Sequence, residues 1–110
     1  MSNSVSKSDL SQASQRLVEL GQETNHGEIG PFEVLNGEPV LDPPPTVLRT
    51  FLISNDNGPN PLRSTKDFIL RKEWLEVFAI FDRERSFMVK RLVIKGGLPV
   101  RIDIERARPV

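Results

Sequence analysis

Phe32-Glu33-Val34-Leu35-Asn36-Gly37-Glu38-Pro39-Val40-Leu41 is the stretch on which the fold class turns. Two short apolar runs flank Asn36-Gly37, the dipeptide that most readily takes positive φ at both central positions of a type I′ turn, so a β-hairpin is expected. Pro39 has no N–H to give to a ladder, which restricts its strand to an edge or a very short pairing.

A second hairpin is expected at the other end of the chain. Phe87 to Lys95 and Leu98 to Glu105 are β-rich and surround Gly96-Gly97, which allows a tight two-residue turn. In that register Val93 opposes Val100 and Lys90 opposes Asp103, one apolar and one opposite-charge pair. Val100, Ile102 and Ile104 then share a face with Val89 and Val93, and that face is expected to be core. No repeat of solenoid period is visible, only two hairpins at opposite ends.

Between and before the hairpins the pattern changes. Ser6-Lys7-Ser8-Asp9 has capping-box spacing, Leu10, Ala13, Leu17 and Leu20 recur at helical intervals, and Gly21 follows as a stop, so a helix is expected over about 8–20. Residues 22–31 hold Asn25, Gly27, Gly30 and Pro31 and read as a loop. Asp42-Pro43-Pro44-Pro45 is an extended connector, Thr46 to Ser54 a strand, and Asn55 to Pro61 a loop dense in turn residues. Ser64 to Asp67 is a second capping-box pattern. Leu70, Trp74, Val77 and Phe81 then fall on one helical face opposite Lys72, Glu76 and Arg83, which favours a helix over about 65–82. Val77 to Phe81 is also a β-prone run, so a strand is the competing reading there. The expected architecture is α+β: a small antiparallel sheet of two hairpins plus a central strand at 46–54, covered on one face by helices at 8–20 and 65–82. Residues 1–7 are expected to be a mobile tail and 8–110 a single domain.

The chain has 110 residues, 37% hydrophobic and 27% charged, within the range of globular domains and enough for a modest core. It contains no cysteine, which excludes disulfides, thiolate catalysis and cysteine-held metal. There is no signal-peptide core or membrane-spanning segment, so a soluble, cytoplasmic protein is expected. The formal net charge is zero, yet residues 1–60 carry three Lys/Arg against eight Asp/Glu and residues 61–110 carry twelve against seven. Such asymmetry fits either a polyanionic or acidic partner for the basic half, or mutual attraction of the halves within one fold.

Chemistry-bearing groups are sparse. His26 is the only histidine and lies in the expected loop, in no metal-ligand or nucleophile pattern. Asp103 and Glu105 sit among Arg101 and Arg106 and read as a salt-bridged strand face. Gly96-Gly97 lacks the spacing of a phosphate-binding loop. What remains is residues 63–95, where nine Lys/Arg interleave with Phe68, Trp74, Phe78, Phe81 and Phe87. Cations with aromatic faces suit nucleic acid, although aromatics on the inner face of a helix would be core instead. The expected function is a non-enzymatic binding or adaptor protein with no cofactor, acting through protein–protein contacts that include self-association. A nucleic-acid-binding regulator is the alternative. The candidate surface for either is Arg71, Lys72, Arg83, Arg85, Lys90 and Arg91.

Overall fold

The structure is a computed structural model and describes residues 6–51, 53 and 71–106. Within these, two helices pack on an antiparallel six-stranded sheet, an α+β fold. The first capping pattern forms, since the Asp9 carboxylate accepts the Ser6 backbone N–H at 2.9 Å, but it closes only a single 3₁₀ turn, Lys7–Asp9. The α-helix begins afresh behind it. Ser11 is its N-cap, accepting the Ser14 N–H at 3.2 Å, and α1 runs Gln12–Thr24.

Gly21 therefore does not stop α1, as its sequence position suggested, but lies inside it. A Cβ there would sit 2.5 Å from Cζ2 of Trp74, so the missing side chain is what lets the two helices approach. The helix ends at Asn25, whose φ of 61° turns the chain and whose N–H caps the Gly21 carbonyl. The expected loop at 22–31 is consequently the last turn of α1 followed by a strand, β1 (His26–Ile29), then β2 (Phe32–Leu35) and β3 (Glu38–Val40). The Asn36-Gly37 hairpin is as expected, with φ of 52° and 83° at the turn and β3 on a sheet edge. Among the described residues of the 46–54 run the strand is β4 (Val47–Arg49). It lies at the sheet's edge rather than at its centre. Residue 52 and residues 54–70, with the second capping pattern and the Asn55–Pro61 loop, lie outside the described residues.

The helix reading of the ambiguous segment holds from Lys72, not from 65: Arg71, with φ of −72° and ψ of 154°, is an extended N-cap, and α2 is Lys72–Glu84, burying Trp74, Val77 and Phe81. Arg85, with φ of 68°, ends it and leads into β5 (Phe87–Lys95) and β6 (Leu98–Glu105). The second hairpin turns as expected, pairing Lys95 with Leu98 and Ile94 with Pro99. Its register then shifts. Val100 is bulged out, Val93 faces Arg101 and Arg91 faces Asp103, before the original register returns at Val89 and Ile104. The bulged Val100 is 57% exposed, and Ile104, although back in the expected register, is 38% exposed on this edge strand, so the expected core face of β6 narrows to Ile102.

The centre of the sheet is β5. On one side it pairs β6; on the other, β1 and β2 lie end to end, His26 to Ile29 against Lys95 to Leu92 and Phe32 to Val34 against Val89 to Phe87. Ile29 and Phe32 are both buried, as are Val89 and Leu92, so inward alternation skips a step at Gly30-Pro31 and again at Lys90-Arg91. These two kinks face each other, and a Cβ on Gly30 would lie 2.8 Å from the Lys90 carbonyl oxygen.

The two halves of the chain repeat one another. Sixty positions separate α1 from α2, Asn25 from Arg85, and the turn Asn36-Gly37 from Gly96-Gly97. The contacts between halves repeat too. Gly37 N–H donates to the Arg85 carbonyl at 2.8 Å and Gly97 N–H to the Asn25 carbonyl at 2.9 Å. Asn36 N–H donates to Ser86 Oγ and Gly96 N–H to His26 Nδ1, each at 3.2 Å. Two α-hairpin units thus meet about a pseudo-two-fold axis between β5 and the β1–β2 strand. Each turn satisfies carbonyls left orphaned where the other unit's helix ends.

Candidate interaction surfaces

The basic segment does not become one patch. Arg71 is the N-cap of α2 and Lys72 its first residue, both exposed, whereas Arg83 and Arg85 stand at the other end of a helix about 20 Å long. Lys90 and Arg91 project from the kink of β5 on the sheet face away from the helices. Several of these cations already hold carboxylates: Arg83 with Glu84 at 3.4 Å, Lys90 with Glu105 at 3.8 Å, and Arg91 with Asp103 at 3.5 Å and Glu28 at 3.9 Å. Asp103 also meets Arg101 at 3.2 Å, so Asp103 and Glu105 belong to a salt-bridged face. The aromatic residues are elsewhere. Trp74, Phe78, Phe81 and Phe87 form a chain of ring contacts with centroids 5.7–6.1 Å apart, and three of them are fully in the core.

His26 is not a loop residue but the first residue of β1, half-buried, with Nδ1 engaged by the Gly96 N–H. No group of three or more His, Cys, Asp or Glu side chains gathers among the described residues in a way that would hold a metal ion. No described helix is long and apolar enough to cross a membrane.

Two features stand out that the sequence reading did not single out. The first is the edge formed by β6. Its eight residues make it the longest of the edge strands, β3 and β4 having three each, and among the described strands it pairs only with β5. Beside it, α2 contributes Glu73, Glu76, Val77 and Ile80 to one wall of a groove of about 380 Å³, and Val100 and Ile102 contribute to the other. The floor is apolar and the α2 rim acidic. Oε1 of Glu73 is buried there without a hydrogen-bond partner among the described residues. The second feature is the apolar strip along β4, where Val47, Leu48 and Phe51 are exposed and the Arg49 guanidinium lies 4.9 Å from the Phe51 ring centroid.

No family model, curated protein or solved structure matches this chain. The site must therefore be read from its own geometry. The signal that would have exposed β6 is the repeat: Gly97-Leu98-Pro99-Val100 answers Gly37-Glu38-Pro39-Val40 sixty positions earlier. From residue 12 to 41 those three shared residues, Gly, Pro and Val, are the only identities with 72–101, too few to be noticed without the fold.

Proposed function

We propose that this protein is a non-enzymatic binding module that works through protein–protein contacts and receives an extended protein segment along β6. The observation that carries this reading is the outer edge of β6, unpaired among the described residues, beside the α2 groove. An added strand would gain main-chain hydrogen bonds from β6, while alternate side chains enter the groove against Val77, Ile80 and Ile102 and place a donor on Glu73. An unpartnered carboxylate oxygen is costly when buried, so a partner supplying that donor relieves the cost as it binds. A reducing, cytoplasmic setting suits a chain that uses no cysteine.

The test is a display library of random decapeptides selected on the protein, with binders re-measured by fluorescence anisotropy. Binders should be extended, apolar at alternate positions, and lost on Ile80→Glu, which puts a charge on the groove wall. Selection of no groove-dependent binder would overturn the reading. A nucleic-acid-binding regulator using Arg71, Lys72, Arg83, Arg85, Lys90 and Arg91 is the competing outcome. It would show as affinity for labelled single-stranded DNA or RNA that falls steeply with salt.

A further inference from the structure

We infer that the strand seated on β6 is β6 of a second copy of this chain, antiparallel and centred on Ile102, so that the two sheets join into one. The inference rests on the binding-module reading and names its partner. Ile102 and Ile104 pair with the buried Leu92 and Val89 and so lie on the helix side of β6, whereas Arg101 and Asp103 pair with Val93 and Arg91 on the other side. Two copies related by a two-fold axis through Ile102 bring Arg101 opposite Asp103 of the other copy, twice. On the helix side Ile102 meets its own counterpart, and the exposed Val100 meets the exposed Ile104. Ile104 of each copy then enters the other's groove beside Val77 and Ile80.

The register is decided by charge. A slip of one residue sets helix-side positions against positions of the opposite face, which the pleat forbids. A slip of two residues in either direction centres the pair on Arg101 or on Asp103 and sets like charges directly against each other. Centring on Ile102 is the arrangement in which every charged pair near the axis attracts. The bulge at Val100, next to Pro99 with no N–H to give, confines regular pairing between the copies to this short stretch.

The experiment is sedimentation velocity with a charge-exchange pair. The wild-type chain of 12.4 kDa should sediment as a dimer. Arg101→Asp and Asp103→Arg should each weaken the dimer by about tenfold or more, because each sets like charges opposite one another at two places. Mixed in equal amounts, the two variants should form a heterodimer, since Asp at 101 then faces Arg at 103. That recovery cannot arise from the contact between Arg101 and Asp103 within one chain, which stays broken in both variants. Ile104→Lys, at a half-exposed position, should also give a monomer and serves if a charge variant fails to fold. A monomeric wild type, single variants that remain fully dimeric, or a mixture that stays monomeric would each overturn the inference. A monomeric wild type that still binds groove-dependent decapeptides leaves the binding-module reading standing; loss of both ends it too.

Discussion

Gly21 shows how one side chain's absence can govern a helix pair. A glycine in a helix interior costs about 1 kcal/mol of propensity, yet here it admits the ring of Trp74, which is 1% exposed. Gly21→Ala should therefore destabilise the fold by about 1–3 kcal/mol despite improving helix propensity, measured by urea unfolding. In a Trp74→Phe background the same substitution should cost markedly less, because the clashing atoms Cζ2 and Cη2 are gone. From the sequence alone Gly21 looked like a helix stop, since position and residue type do not reveal which neighbour occupies the space. A second residue-scale contact is Lys7 Nζ with Glu19 Oε2 at 2.8 Å. The hydrogen bond from Lys7 holds the Glu19 carboxyl below its ordinary value of 4.5; burial opposes this, and the charges of Lys7 and Arg16 add to it. A lowered folded pKa means the pair stabilises the protein fully above 4.5 and ceases to as the pH falls through the lower folded value. Glu19→Gln should thus unfold at lower urea than wild type near neutral pH, with the gap narrowing as the pH falls below 4.5 and through the lowered folded value. Tryptophan fluorescence during urea titration would report it.

At the level of elements, both hairpin turns were legible because Asn-Gly and Gly-Gly carry their backbone preference with them. Both turns indeed have positive φ at both central residues. The α2 face was legible for a similar reason, since Trp74, Val77 and Phe81 have helical spacing whatever they pack on. β1 was not. His26-Gly27-Glu28-Ile29 has one large apolar residue, and it is a strand because β5 and β4 pair on both its sides. The core face expected on β6 was too long because Val100 is bulged and Ile104 lies exposed on an edge strand, and neither a bulge nor an edge leaves much trace in residue types. Helix starts follow the same division. Capping by Ser11 is local chemistry that competed with the stronger-looking Ser6 pattern, and Ser11→Ala should cost about 1 kcal/mol by thermal or urea unfolding. The candidate cations fared worst as a set: the sequence shows their number, but only the fold shows that a helix length and a sheet's thickness separate them.

Over the whole molecule, charge is distributed differently from the contrast between halves. Among the described residues one ion pair, Arg91 with Glu28 at 3.9 Å, joins the acidic half to the basic one; the others lie within each half. Apolar burial and the reciprocal turn contacts, rather than attraction between the halves, hold the units together. Unfolding should accordingly be a single transition whose midpoint shifts little between low and high salt, checked by circular dichroism and tryptophan fluorescence, which should coincide.

The pseudo-two-fold arrangement also makes the order of the units along the chain immaterial to the sheet they build. A circular permutant with its new ends placed between residues 49 and 71, and with Arg106 joined to Ser6 by an added linker, would present the hairpin and helix contacts of the described residues to the same neighbours. The fold is in this sense a palindrome of parts, indifferent to which half is synthesised first.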